Sequence, residues 1–124
     1  MIPFVVEFVR GKPAYQQVAD AAKRAILRGQ IKAGDSFPAL HALVQGLRIH
    51  PSSARSALGD LEKEGWIDQP EAGRFVVAPL KPELVARRSE LLRRDVEAVV
   101  REAGRLGVSR EEVQRLLDEN WKAG

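Results

Sequence analysis

The sequence has no cysteine among its 124 residues, which excludes disulfide bonds and thiolate metal sites. The N-terminus also lacks a basic stretch followed by a long apolar run, so no signal peptide is predicted and a cytoplasmic location is expected. No apolar run approaches the roughly 20 residues that a membrane-spanning helix needs, so no membrane partner is expected. The length suits one domain, or a small domain with an appendage.

The residue sets that many enzymes use are absent as well. There is no Ser-His-Asp set, no pair of carboxylates in an apolar setting and no glycine loop of the phosphate-binding type, so an enzyme is not expected. His41 and His50 could be read as a metal pair, but no third ligand accompanies them. A structural or DNA-facing role is favoured for both histidines, and no metal or other cofactor is predicted.

Neither sign of charge is in large excess, because the sequence has 20 basic and 17 acidic side chains and a net charge of +3 at pH 7. This excess is compatible with binding to nucleic acid but supports it only weakly. Any affinity for DNA must come from the local placement of basic side chains.

The spacing of apolar residues and helix breakers predicts the first elements. Residues 4–9 are rich in β-branched and aromatic side chains, which predicts a short strand. A helix with Pro13 in its first turn should follow, and residues 31–36 should form a turn. A short helix opened by Pro38 and a connector over residues 46–50 complete this part of the chain.

The next residues predict a recognition helix and a wing. A helix from Pro51 to Glu64 should stop at Gly65, and two short strands, Trp66-Ile67 and residues 74–77, should flank a turn over residues 69–73. A winged helix-turn-helix has the same order of elements, namely a helix, a short helix, a tight connector, a short helix and a two-stranded wing. Residues 1–79 are therefore predicted to form a DNA-binding domain.

Residues 80–124 are predicted to form a separate two-helix segment. Two prolines within residues 79–82 interrupt regular structure, a long helix should cover residues 83–106, and Ser109-Arg110-Glu111-Glu112 is a capping box that begins the last helix. Two helices bury two apolar stripes poorly on each other, so a second copy of the chain is favoured as partner over the chain's own winged helix. The residues expected at this homodimer interface are Leu84, Leu91, Leu92, Val96, Val99, Val113, Leu116, Leu117 and Trp121. The predicted fold class is mainly α with a small β wing, an N-terminal winged helix-turn-helix plus a short C-terminal dimerisation tail of two helices.

One face of the predicted recognition helix carries small or hydroxylated residues, namely Ser52, Ser53, Ser56 and Gly59. Such a face lets a helix enter the major groove, and serine can bond to phosphates or base edges. Lys63 lies farther along the same face, and among the N-terminal positions Arg55 is the only long cation and the best single candidate for a contact with DNA. This face by itself is also compatible with an ordinary amphipathic helix whose outer side is solvated. The order of the surrounding elements favours DNA binding.

Residues 13–78 resemble the DNA-binding domain of the GntR family of bacterial regulators. The matching stretches are residues 13–18, 29–35, 55–67 and 73–76, and the stretch that ends in Glu64-Gly65-Trp66-Ile67 is the most specific of them. His50-Pro51 resembles the Asn-Pro that begins the recognition helix in the YtrA-like branch, to which the two-helix tail is also similar. The resemblance implies a repressor with an undefined signal, and a homodimer suits a protein that binds a palindromic operator in double-stranded DNA.

Departures from the family pattern bear on how DNA is bound. His41 stands where the family usually has a DNA-contacting arginine, and Glu71 and Ala72 replace a glycine and a basic residue at the wing tip. Arg48 stands where glycine is usual, so it should adopt a positive φ unless Gly46 takes up part of the turn. The residues expected to bind DNA are His41, Arg48, His50, Ser52, Ser53, Arg55, Ser56, Gly73 and Arg74.

The sequence thus predicts a sequence-specific DNA-binding transcription regulator. The alternative is a winged helix that serves protein–protein contacts without specific DNA binding. Salt separates the two, because binding through phosphates weakens steeply as salt rises, whereas an apolar interface does not.

Overall fold

The computed structural model describes residues 2–121 and has six helices and three short strands within them. The elements are α1 Ala14–Leu27, β1 Ser36–Phe37, α2 Leu40–Leu47, α3 Pro51–Glu64, β2 Ile67–Glu71, β3 Arg74–Val77, α4 Pro82–Ala86, α5 Glu90–Leu106 and α6 Arg110–Trp121. The chain divides into two compact units, Met1–Arg88 and Ser89–Gly124. This mainly helical architecture with a small antiparallel sheet confirms the predicted winged helix-turn-helix.

The core of the first unit forms where α1 packs on α3 through small side chains. α1 buries Val18 and three alanines, and α3 buries Ala54 and Ala57 opposite them. Alanine costs little entropy in a helix and lets two helix backbones approach closely. The fully buried Leu43 and Leu61 fill the space beside them, and each contributes roughly 1.5–3 kcal/mol through removal from water.

An ion pair fixes the end of α3 relative to α1. Lys23 Nζ lies 3.0 Å from Glu64 Oε1, and the Lys23 side chain is only 16% exposed. The same ammonium lies 5.9 Å from the centroid of the Trp66 ring, which is buried just before β2. The C-terminal end of α3 and the start of the wing are therefore held by a side chain of α1.

The sheet has the strand order β1-β3-β2, and both pairs are antiparallel. The strands depart from the prediction: Ser36 was expected in a turn but belongs to β1, and Trp66 precedes β2 instead of starting it. β2 continues to Glu71 through residues expected in the turn. Pro70 is tolerated because β2 is an edge strand with an irregular register between Asp68 and Glu71.

The strand predicted over residues 4–9 does not form. The side chain of Gln17 instead binds the backbone of this segment, donating to Val9 O at 3.0 Å and accepting from Val9 N at 2.9 Å. Phe4 is buried and stacks on Phe37 with ring centroids 5.7 Å apart. The segment is thus held by side chains of the core unit and not by strand pairing.

Helix starts near proline also differ from the prediction. Pro13 is the N-cap of α1, not a residue of its first turn, and α2 begins at Leu40 behind its N-cap Ala39, two residues after Pro38. Gly46 lies inside α2, where Ile2 packs so closely that a Cβ at this position would come within 2.6 Å of Ile2 Cγ1.

The long helix predicted over residues 83–106 is broken. α4 ends at Ala86, where the Arg88 guanidinium donates to Val85 O at 2.8 Å and caps the helix, and α5 begins at Glu90. Leu84 of α4 is buried in the core of the first unit, so it has little surface left for a second copy of the chain. The first unit accordingly extends to Arg88, beyond residue 79, where the boundary was predicted.

The second unit is a pair of helices with no buried residue in either described helix. α5 ends at Leu106, and its C-cap Gly107 has a φ of +71° as expected for a helix stop. α6 follows, and Glu112 N donates to Ser109 Oγ at 3.2 Å, which confirms that Ser109 caps this helix. The large apolar side chains left exposed on the two helices are Leu92, Val96, Val99, Val100, Leu106, Leu116, Leu117 and Trp121.

Candidate nucleic-acid interface

The outer face of α3 is the centre of the candidate site. Its inner face is buried in the core, and Ser52, Arg55, Ser56 and Gly59 are exposed on the opposite side. Space around Gly59 is open, since a Cβ built there meets no atom within 4 Å. The N-terminal part of this face is therefore shallow apart from the Arg55 guanidinium, a shape that suits close approach to a groove.

The N-terminus of α3 is capped by a histidine. His50 Nδ1 accepts from Ser52 N at 3.1 Å and lies 2.7 Å from Ser52 Oγ, and Pro51 occupies the first helical position. A ring whose Nδ1 accepts carries its proton on Nε2, which leaves Nε2 as a donor. No acidic side chain stands in the first turn, so the positive end of the helix dipole is available to an anion such as phosphate.

Three arginines of the first unit carry unpaired guanidinium groups within the described residues. Arg48, Arg55 and Arg74 are exposed, and within residues 2–121 none of their guanidinium groups forms a hydrogen bond or an ion pair. An arginine already paired with a carboxylate would have to break that pair before it met DNA. These three can donate up to five N–H groups each to phosphates or base edges without that cost.

The connector between α2 and α3 turns at Arg48. Arg48 has a φ of 54° and a ψ of 49°, and it is the one non-glycine residue with positive φ among the described residues. This confirms the positive φ expected from the resemblance, and Gly46 does not take up the turn because it is helical. The left-handed conformation costs a residue with a Cβ roughly 1–2 kcal/mol.

Arg48→Gly is expected to leave the free energy of unfolding unchanged or to raise it by up to about 1 kcal/mol. Relief of the left-handed strain is partly offset by the greater freedom of glycine in the unfolded chain. Urea unfolding measures this, and Arg48→Ala is the control because it removes the guanidinium but keeps the Cβ. A clear loss of stability in Arg48→Gly alone would show that the turn is not strained.

The wing ends in a two-residue turn formed by Ala72 and Gly73. The residues on either side of this turn, Glu71 of β2 and Arg74 of β3, are paired across the two strands. Gly73 has a φ of 78°, which favours glycine, and its N–H donates to Gln69 Oε1 at 2.8 Å. The Glu71 carboxylate stands opposite Arg74 and offsets part of its positive charge. The wing tip therefore presents one cation beside one anion.

The other residues expected to bind DNA lie in the same unit. His41 is exposed on α2, and Ser53 is half-buried in the first turn of α3, where its N–H donates to His50 O at 3.0 Å. The structure brings His50 and Ser52 into direct contact. It gives no contact between the wing arginine and α3.

Two glutamines with structural roles were missed by the sequence analysis. Gln17 holds the N-terminal segment, and Gln69 connects the wing turn to α3. Nothing in their spacing signals these roles, because both depend on partners brought together by the fold.

No group of three His, Cys, Asp or Glu side chains is placed to hold a metal ion in residues 2–121. In the same part of the chain, every helix is too short or too polar to cross a lipid bilayer.

Known proteins resemble this chain over both units. The protein is 25% identical over 108 residues to the transcriptional repressor YtrA of Bacillus subtilis, a match that covers 86% of this chain and 83% of that protein. It is 34% identical over 74 residues to the arabinose metabolism transcriptional repressor of Geobacillus stearothermophilus, covering 59% of this chain and 20% of that protein. A GntR family transcriptional regulator from Listeria monocytogenes shares the fold with a TM-score of 0.69 and 20% identity, over 90% of this chain and 98% of that one.

A family model settles the classification. The model for bacterial regulatory proteins of the gntR family matches residues 14–77, from the start of α1 to the end of the wing. The match takes in more than half of the 124 residues and all of the helix-turn-helix. The chain therefore belongs to the GntR family of bacterial regulatory proteins.

Proposed function

We propose that this protein is a transcriptional repressor that binds a palindromic operator in double-stranded DNA as a homodimer. The observation that carries the proposal is the outer face of α3, on which an unpaired Arg55 stands among small residues. α3 enters the major groove, with its N-terminal end toward the DNA. Arg55 then contacts a guanine edge or a phosphate.

Charge and capping at the two ends of α3 support this orientation. The N-terminal end has a positive dipole, no acidic side chain in its first turn and a donor on His50. Acidic residues gather toward the C-terminal end, where Glu62 and Glu64 would be repelled by phosphates. Arg48 precedes the helix and Arg74 follows the wing turn, so both add cations in the same unit as the recognition helix.

The exposed apolar side chains of the tail support the homodimer. Val96 and Val99 of α5 are 55% and 49% exposed, and Trp121 of α6 is 80% exposed. Apolar surface of this extent is costly to leave in water, and a second copy of the same helices would cover it through a two-fold interface. Two protomers then present two recognition helices, which is the arrangement that a palindrome requires.

The repressor role is supported by relatives whose names carry it. The YtrA protein of Bacillus subtilis and the arabinose regulator of Geobacillus stearothermophilus are both named transcriptional repressors. A dimer seated on an operator that overlaps a promoter blocks polymerase without any further activity of its own.

The test begins with selection of duplexes from random DNA by the full-length wild type. We expect a palindromic consensus, and we expect binding to it to be much tighter than binding to a scrambled duplex of equal composition. The logarithm of the association constant should fall linearly with the logarithm of salt concentration. Failure to enrich any sequence, together with salt-independent binding to a protein partner, would support the protein-interaction alternative instead.

A further inference from the structure

The side chain of Gln69 connects the wing turn to the recognition helix. Its Oε1 accepts from Gly73 N at 2.8 Å, and its Nε2 donates to Glu62 Oε1 at 3.4 Å. One amide group thus bonds the backbone of the wing turn and a carboxylate of α3 at the same time. We call these three residues, Glu62, Gln69 and Gly73, the wing latch.

The backbone around Gln69 needs such a support. Between Asp68 and Glu71, β2 contains one residue more than β3, because Asp68 pairs with Val76 and Glu71 with Arg74. Such a bulge interrupts the ladder of backbone hydrogen bonds, and Pro70 lacks an N–H to restore it. Beyond the bulge, Glu71 pairs with Arg74 next to the wing turn, and the bond from Gly73 N to Gln69 Oε1 connects that turn to the backbone before the bulge.

The anchor on the helix lies on the same side of α3 as Arg55, toward the C-terminal end that is proposed to lie away from the phosphates. Glu62 follows Arg55 by seven positions, which in an α-helix is about two turns and returns to nearly the same side. At the other end of the latch, Gly73 directly precedes Arg74, whose guanidinium is unpaired within the described residues. The wing latch therefore joins the element that carries Arg55 to the element that carries Arg74.

We propose that Gln69 is a positioning residue for DNA binding, which holds the wing against α3 so that Arg55 and Arg74 meet DNA together. This inference rests on the proposed function of α3 and the wing. Without the latch, the wing turn moves independently of α3 and must be ordered when DNA binds, which lowers affinity. Gln69 itself need not touch the nucleic acid.

Three variants of the full chain separate the two bonds of the latch. Gln69→Ala removes both bonds and is expected to weaken binding to the selected operator about three- to tenfold. Gln69→Glu keeps an acceptor for Gly73 N but places a second carboxylate beside Glu62, so its loss should be at least as large. In the double variant Gln69→Glu with Glu62→Gln, the amide introduced at position 62 can donate to the carboxylate introduced at position 69. The affinity for the operator should then return to within about twofold of the wild type.

A double-mutant cycle distinguishes positioning from a general loss of stability. Arg74→Ala should weaken operator binding in the wild type, and the same change should cost clearly less in the Gln69→Ala background, where the wing is already displaced. The control is Gln30→Ala, which removes an exposed glutamine side chain from the loop after α1, outside the latch. This control should match the wild type in affinity, and its Arg74→Ala effect should be undiminished.

A measurement without DNA tests the latch itself. The Gly73 amide hydrogen should exchange with solvent faster in Gln69→Ala than in the wild type and in Gln30→Ala. Unchanged exchange, or wild-type affinity in Gln69→Ala, or no recovery in the double variant would each overturn the inference while leaving the proposed function intact. If the wild type itself selected no DNA sequence, the proposed function would fail first, and the role of Gln69 in DNA binding would fail with it.

Discussion

Truncation after Arg88 is expected to give a folded monomer whose affinity for a palindromic operator is lower by roughly 10²- to 10⁴-fold. The cut removes the second compact unit, with its exposed Val96, Leu117 and Trp121, and leaves the winged helix whole. A dimer binds the second half-site as an intramolecular event at high effective concentration, and a monomer loses that advantage. Sedimentation and operator titration measure the two effects.

The position of the cut follows from α4. Truncation after residue 79, where the sequence predicts the end of the DNA-binding domain, would remove Leu84 from the core of the first unit. Loss of a buried leucine costs about 2–5 kcal/mol, a large fraction of the stability of a small domain. Loss of affinity in that shorter protein would report unfolding and not monomer formation.

A single substitution in the full chain supplies an independent test of the homodimer. Val96→Glu places a charge on the exposed apolar side of α5, and it is expected to dissociate the dimer and weaken operator binding. Arg101→Glu is the control, because this exposed residue lies about half a turn around α5 from Leu92. A wild type that remains monomeric by light scattering at tens of micromolar would contradict the proposed assembly.

Arg55→Ala is expected to weaken operator binding by about 1–3 kcal/mol, or roughly five- to 150-fold, for each half-site contact that is lost. Arg55 is exposed on the outer face of α3 and is unpaired within residues 2–121, so its removal should cost the fold little. In a symmetric dimer each operator loses two equivalent contacts. Circular dichroism and thermal unfolding should give curves close to those of the wild type.

The pattern of loss identifies the contact that Arg55 makes. A bidentate bond to guanine would relax the preference at one base pair in each half-site and leave binding to scrambled DNA nearly unchanged. A phosphate contact would weaken all sequences alike and reduce the salt slope by about one. Arg28→Ala, which removes an exposed arginine after α1, has the same change in charge and should retain operator affinity. If Arg55→Ala bound both the operator and the scrambled duplex as tightly as the wild type, the proposal that α3 contacts DNA would be contradicted.

Elements with a strong local signal were predictable from the sequence. α1 and α3 follow from apolar spacing, and α3 ends at Gly65, which has a φ of 90°. The positive φ of Arg48 followed from the family pattern, since a position usually filled by glycine indicates that conformation. The outer face of α3 was predictable for the same reason as the helix, because its periodicity separates a buried side from an exposed one.

Elements that depend on distant partners were not predictable. Residues 4–9 have strand-forming side chains, but no strand forms there. The Gln17 side chain bonds to the backbone of Val9, and Phe4 stacks on Phe37. β1 exists only because β3 pairs with it. The apolar spacing does not mark the break between Ala86 and Glu90, which separates α4 from α5. The wing latch is of this kind as well, because no local pattern places Gln69 beside Glu62.

The proposal that α3 lies in the major groove can be measured directly by DNA cleavage from a defined position on the helix. The chain has no cysteine, so Gly59→Cys provides a single attachment point for a cleavage reagent, at an exposed site where an added Cβ meets no other atom. The matched control is Gly104→Cys in α5, another helical glycine with open space around it. We expect Gly59→Cys to cleave the selected operator in two symmetric clusters, about one helical turn of DNA or a multiple of it apart, and the control to give no such pattern. Uniform cleavage, or the same pattern from both positions, would contradict the assignment of α3 as the recognition helix.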